Sequence, residues 1–138
     1  QHDTVAAFGD HLSHYAVEAL ASGGVRCRLE IPTLLPAAEL SSGHRFRLMM
    51  VVKEVLTNVL RHARATEVKI RLALEGATLA VTLRDDGCGF GEPGKTRRNG
   101  IGNMHERMRE IGGTCEIAST SGGGTTVDLR LPLKEASA

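Results

Sequence analysis

Asp85-Asp86-Gly87-Cys88-Gly89-Phe90 sets a carboxylate at the end of an apolar stretch and follows it with glycines at alternate positions. Such glycines let a backbone turn sharply and let a flat ligand approach. A carboxylate there is an acceptor suited to an exocyclic amine such as that of adenine. Fifteen residues after Asp85, Gly100-Ile101-Gly102-Asn103-Met104 leads into a helical pattern. The first N–H groups of a helix lack partners, so this is a natural anion site. Between the two, Gly89-Phe-Gly-Glu-Pro-Gly94-Lys95-Thr96 satisfies a phosphate-loop pattern literally. Its flanks do not comply: the preceding strand ends near Arg84, Pro93 removes an N–H from the loop, and Arg97-Arg98-Asn99-Gly100 is a poor helix start. His11 and His14 stand one helical turn apart but have no further metal ligand nearby in sequence, so they are read as a solvated helix face.

These residues need elements to position them. Apolar spacing predicts a first helix over 4–21, ended by Ser22-Gly23-Gly24, and a half-buried strand on Cys27, Leu29 and Ile31 that Pro32 stops. A long helix is expected from His44 to Ala63. At about 100° per residue its Leu48, Val52, Val55, Leu56, Val59 and Ala63 form a core face, and Glu54, Asn58, Arg61 and His62 gather opposite as a compact polar cluster. Alternation on Val68–Leu74 and Leu79–Leu83 about Glu75-Gly76 predicts a hairpin. Residues 85–102 lack apolar periodicity and read as a long loop. Met104, Met108 and Ile111 mark a short helix, and a second hairpin follows, with Cys115 and Ile117 on one strand and Val127, Leu129 and Leu131 on the other. Hairpins without regular βαβ alternation predict an α+β fold, a two-layer α/β sandwich whose mixed, mostly antiparallel sheet carries its helices on one face.

The 138 residues fit one domain, 1–138, with 41% hydrophobic residues for its core. Seventeen basic against sixteen acidic residues leave a net charge of +1, so no global field draws the chain to nucleic acid or an anionic membrane. One Tyr, three Phe and no Trp give no platform for stacking bases. No apolar run reaches the roughly 18 residues of a membrane span, and no signal segment precedes the first helix. Three cysteines without a CxxC pair argue for a reducing compartment and against a disulfide framework. A start at Gln1 rather than Met suggests a piece of a larger protein.

Taken together, Glu54-x-x-x-Asn58-x-x-Arg61-His62, Asp85-x-Gly87-x-Gly89, Gly100-x-Gly102 and Gly122-x-Gly124-Thr125 resemble the ATP-binding (Bergerat-type) fold shared by gyrase, Hsp90, MutL and histidine kinases. Lys53–Ala63, Ala65-Thr66-Glu67-Val68 and Gly124–Pro132 are similar to the catalytic domains of bacterial two-component sensor histidine kinases. The Asp3-Thr4, Ile31-Pro32 and His44-Arg45-Phe46 segments are similar to those of large sensors with extracytoplasmic propeller domains.

The resemblance implies roles. Asn58 is the Mg²⁺-binding position and Glu54 the acidic residue that polarises the attacking nucleophile. Arg61 contacts phosphates, and His62 places a ring beside the nucleotide. Asp85 reads adenine and Thr125 supports that contact through water. Gly87, Gly89, Gly100, Ile101, Gly102, Asn103 and Met104 shape the nucleotide site. Residues 90–99 form a lid, with Lys95, Arg97 and Arg98 able to approach phosphates. ATP and Mg²⁺ are the implied cofactors. The implied activity is transfer of the γ-phosphate to a histidine on a separate dimerisation domain, with a response regulator downstream. A non-catalytic or anti-sigma-factor-like serine kinase module of the same fold is the alternative. Asp86 stands where many relatives carry Asn, and its side chain is expected to point away from Asp85. His2 lies too close to Asn58 for a phosphoacceptor helix pair to intervene, so the fragment is expected to be monomeric and unable to phosphorylate itself. The resemblance implies a cytoplasmic location, as the cytoplasmic part of a membrane-anchored sensor.

Overall fold

The computed structural model describes residues 4–33, 35, 38–87, 98–120 and 123–133. Helix α1 (Val5–Ser22) begins one residue later than its apolar pattern, because Thr4 is its N-cap and accepts a hydrogen bond from the Ala7 N–H at 3.1 Å. Strand β1 (Arg26–Glu30) follows, and helix α2 (Ser42–Asn58) starts two residues ahead of the expected His44 because Ser41 caps the His44 N–H. Strands β2 (Glu67–Glu75) and β3 (Thr78–Asp85) form the first hairpin about Gly76, whose φ of 62° a glycine adopts freely. Helix α3 (Arg98–Glu110) and the hairpin of β4 (Thr114–Thr120) and β5 (Gly124–Pro132) complete the order.

The strands lie in the order β1-β2-β3-β5-β4. All neighbours are antiparallel except β1 and β2, which run parallel with Cys27 opposite Val68 because α2 carries the chain back between them. One sheet face carries Ile70, Leu72, Leu79, Val81, Leu83, Leu129 and Leu131, all buried. Against it pack Phe8, Leu12 and Leu20 of α1, Leu48, Val52, Val55 and Leu56 of α2, and Met104 and Met108 of α3 in one core. The opposite face presents Lys69, Arg71 and Arg84 to solvent. This is the expected two-layer sandwich, with Leu29 37% exposed because β1 is an edge. No described helix is long and apolar enough to cross a membrane.

Two elements differ from the periodicity. The helix expected through Ala63 changes at Asn58 into a π turn, Val59–Ala63, which Arg64 ends in a left-handed conformation at φ 54°. A run of apolar and polar residues does not distinguish an i→i+5 turn from an i→i+4 one. Helix α3 starts at Arg98, so Gly100, Ile101 and Gly102 lie in its first turns rather than in the loop before it. Within the helix the N–H groups left without a ladder partner therefore belong to Arg98, Asn99 and Gly100, and Ile101, Gly102 and Asn103 are already inside the ladder. Glycine's low helix propensity hid this turn from the sequence pattern.

Candidate functional site

Asp85 closes β3 on the core-facing side of the sheet and is 6% exposed. A buried carboxylate must find donors. Its Oδ1 accepts the Gly87 N–H at 2.8 Å, so the chain turns immediately after the strand and buries Gly87 as well. Across the ladder, Asp85 is the register partner of Thr125 on β5, itself 8% exposed. The Thr125 hydroxyl lies 3.0 Å from the Ser119 hydroxyl of β4, whose oxygen also reaches the Gly124 carbonyl at 3.5 Å. Asp85 and Thr125 are the buried polar side chains of the described core.

The turn into β5 is built for close approach. Gly124 has φ +84°, and a Cβ there would stand 2.2 Å from the Asp85 carbonyl oxygen. Only glycine satisfies both conditions, and it holds β5 tight against the strand that carries the carboxylate.

Asp86 turns away from Asp85, as expected. Its carboxylate accepts the Thr66 N–H at 2.8 Å, the Glu67 N–H at 3.0 Å and the Thr66 hydroxyl, and its own N–H donates to the Glu67 carbonyl at 3.3 Å. The Thr66 hydroxyl, followed by the two backbone donors, holds the Asp86 carboxyl below its usual range even against partial desolvation. Asp86 thereby fastens the end of β3 to the segment that leaves the π turn. Sequence reasoning missed this clasp, although the register about Gly76, which pairs Val68 with Asp85, places residue 67 opposite residue 86.

The other cluster lies along α2 and the π turn. Glu54 and Asn58 are half-buried one turn apart, His62 is half-buried and Arg61 is exposed. Helix α3 packs beside α2, tied by Arg47 to Glu110 at 2.6 Å and by an Arg107 N–H to the Met50 sulfur at 3.7 Å. On α3, Met104 is buried in the core and Asn103 is exposed. The expected contribution of Met104 to the site is thus from the core side, where its side chain is 2% exposed. The backbone of Gly100, Ile101 and Gly102 is helical. Gly89, Lys95, Arg97 and the phosphate-loop pattern of residues 89–96 lie outside the described residues, as does the side chain of Arg98.

The model of the family described as histidine kinase-, DNA gyrase B- and HSP90-like ATPase matches residues 43–135, which include α2, the π turn, Asp85, α3 and Thr125. The sensor histidine kinase LiaS of Bacillus subtilis is 35% identical over 95 residues, covering 68% of this chain and 26% of LiaS. The nitrate/nitrite sensor protein NarQ of Escherichia coli is 31% identical over 104 residues, covering 74% of this chain and 18% of NarQ. The chain thus spans about a quarter or less of these relatives. Among solved structures, the histidine kinase domain of a blue-light activated histidine kinase from Erythrobacter litoralis superposes with a TM-score of 0.76 at 24% identity, covering 91% of this chain and 61% of that one. Histidine kinase AdeS of Acinetobacter baumannii gives 0.74 at 13% identity, covering 96% of this chain and 66% of that one. At such identities the superpositions speak for the fold, and the family match together with the curated relatives for the lineage. By its sequence and its two-layer fold, the chain belongs to the histidine kinase-, DNA gyrase B- and HSP90-like ATPase family, with a sensor histidine kinase and a nitrate/nitrite sensor protein among its relatives.

Proposed function

We propose that this domain binds ATP with Mg²⁺ between the polar face of α2 and the β3–α3 segment, and donates the γ-phosphate to a histidine on a separate phosphoacceptor domain in two-component signalling. The observation that carries the reading is the buried Asp85 carboxylate, turned inward at a strand end, anchored by the Gly87 N–H and set beside the buried Thr125 hydroxyl. An acceptor in that setting suits a purine amine. Family membership supplies the ATP, and the sensor-kinase relatives supply the direction of transfer.

The residues suit the nucleotide and its ion. Among the described residues no three His, Cys, Asp or Glu side chains gather to hold a metal on their own. Mg²⁺ would therefore depend mainly on phosphate and water oxygens, with the Asn58 amide oxygen as the protein's neutral contribution. ATP supplies the transferable phosphoryl group when bound. Arg61 and the first N–H groups of α3 would neutralise its phosphates, Gly89 and the lid residues would cover them, and His62 would border the nucleotide. Glu54, one turn before Asn58 on the same face, would orient the incoming imidazole and draw off its proton, a role that needs hydrogen-bond reach. In-line positioning of the acceptor histidine supplies much of the rate of such a transfer, so the domain requires its phosphoacceptor partner to act.

Incubation of the chain with labelled ATP, Mg²⁺ and a separately supplied phosphoacceptor domain tests this. Acid-labile label on a histidine of that domain is expected. Acid-stable label on serine would instead identify a serine kinase of the same fold, and no label with any acceptor would contradict phosphotransfer.

A further inference from the structure

The sheet has two edges, and they are guarded differently. An edge strand shows a row of unpaired N–H and C=O groups, which proteins blunt with charges, proline or bulges. On β1 the exposed Arg26, Arg28 and Glu30 alternate along five residues, and Pro32 follows soon after. At the other end of the sheet, β4 reads Thr114-Cys-Glu-Ile-Ala-Ser-Thr120, with no proline, lysine or arginine. Its seven residues pair one for one with β5, without a bulge, and among the described residues no other strand pairs with it. The free side of β4 is thus a regular, open ladder.

The two faces beside that edge differ in character. Cys115 and Ile117 face the helices, opposite the buried Leu129 and Val127, so the inward side chains of an added strand would meet Ile117 at the margin of the core. Glu116 and Ala118 face the open side of the sheet, where Glu116 stands opposite Asp128. A cleft of about 440 Å³ follows the edge, bordered by His105 of α3, residues 115–118 of β4, and Thr126 and Asp128 of β5, with no lysine or arginine in its lining. Arg130 already holds Asp128 at 3.2 Å, whereas Glu116 is exposed and makes no ion pair among the described residues. The charge left over at this edge is therefore negative. That carboxylate also decides against a second copy. Two β4 strands in register at Glu116 would set their carboxylates face to face, and pairing about Ile117 would set them on the diagonal, about 7–8 Å apart and still within reach of long side chains.

We propose that β4 accepts an added strand from a partner protein, an extended segment in which lysine or arginine alternates with β-branched apolar residues. Main-chain hydrogen bonds to the open ladder supply the affinity. The basic set meets Glu116 on the open side, and the apolar set extends the core past Ile117. This docking does not depend on the nucleotide reading, since it uses neither Asp85 nor Asn58.

The test uses the full 138-residue chain, labelled for amide NMR, and two designed peptides matched to the seven residues of β4. One alternates Lys with Val and the other Glu with Val. Titration without nucleotide is expected to move the amide signals of β4 and to slow exchange of its outward N–H groups. The Lys peptide should bind at least about fivefold more tightly than the Glu peptide. Glu116→Lys, a change at an exposed position, should reverse that preference. Methylating the backbone amides of the Lys peptide removes its ladder donors and should abolish binding. No binding of the Lys peptide at about 1 mM, equal affinity for the two peptides, or a preference that Glu116→Lys leaves unchanged would overturn the proposal. Binding that survives amide methylation, or signals that move away from β4, would do the same. So would sedimentation showing a dimer of the chain that the Lys peptide dissociates, since a second copy would then be the occupant.

Discussion

Asp86 grips Thr66 by both its backbone N–H and its hydroxyl, and so ties the end of β3 to the chain leaving the π turn. One carboxylate thereby couples the strand that ends in Asp85 to the helix that carries Asn58, Arg61 and His62. Replacing Asp86 by Ala removes three accepted bonds. Because the site is exposed, the loss is expected at the low end for charged hydrogen bonds, about 1 kcal/mol, with Asp86→Asn closer to the parent. Urea midpoints of the two variants measure it.

The same clasp has a pH signature. The folded-state pKa of Asp86 is depressed below 3.8, so its contribution is present above that value and is lost as pH falls through the folded value. Parent stability measured downward from pH 5 should fall more steeply than that of Asp86→Asn. Parallel curves would exclude the clasp as a source of stability.

Gly124 and Gly76 offer a paired test of backbone and space. Both have positive φ, but a Cβ at Gly76 meets nothing within 4 Å, whereas at Gly124 it meets the Asp85 carbonyl. Gly76→Ala is expected to cost about 1 kcal/mol from conformation alone. Gly124→Ala should cost at least about 2 kcal/mol more and should also lower adenine-nucleotide affinity, because Asp85 must shift. Denaturation curves and nucleotide titration of both variants check this.

Much of this was legible in the residues. Strict alternation on Val68–Leu74 and Leu79–Leu83 fixes which sheet face is buried, and with it the inward direction of Asp85. The polar face of α2 followed from period alone. What escaped were features in which tertiary contacts decide between near-equal local choices. The π turn at Val59–Ala63 has the same composition as a helix end, and the left-handed Arg64 lacks the glycine that normally announces such a cap. The early start of α3 was hidden by Gly100 and Gly102.

Arg64 provides a further stability test. A non-glycine residue at φ 54° carries a steric cost, so Arg64→Gly should leave stability unchanged or raise it by up to about 1 kcal/mol, while the β-branched Arg64→Val should lower it. Thermal midpoints of the two variants give the order.

Cys115 is buried under α3, and burial, followed by the Asp128 and Glu116 carboxylates, pushes its thiol up to about 11. Its contribution to stability is present below the ordinary thiol value of 9.0 and is lost as pH rises through the folded value. At pH 8 native Cys115 should resist iodoacetamide and become modified only on unfolding, as peptide mass mapping would show.

The nucleotide reading itself meets its most direct test in calorimetry with Mg²⁺-ATP and Mg²⁺-GTP. The parent chain is expected to bind ATP in preference to GTP. Asp85→Ala should cost at least about tenfold in ATP affinity, because a buried purine amine loses its acceptor, and should cost more than Lys95→Ala. No adenine-nucleotide binding at millimolar concentration, or a larger loss from Lys95→Ala than from Asp85→Ala, would contradict the account.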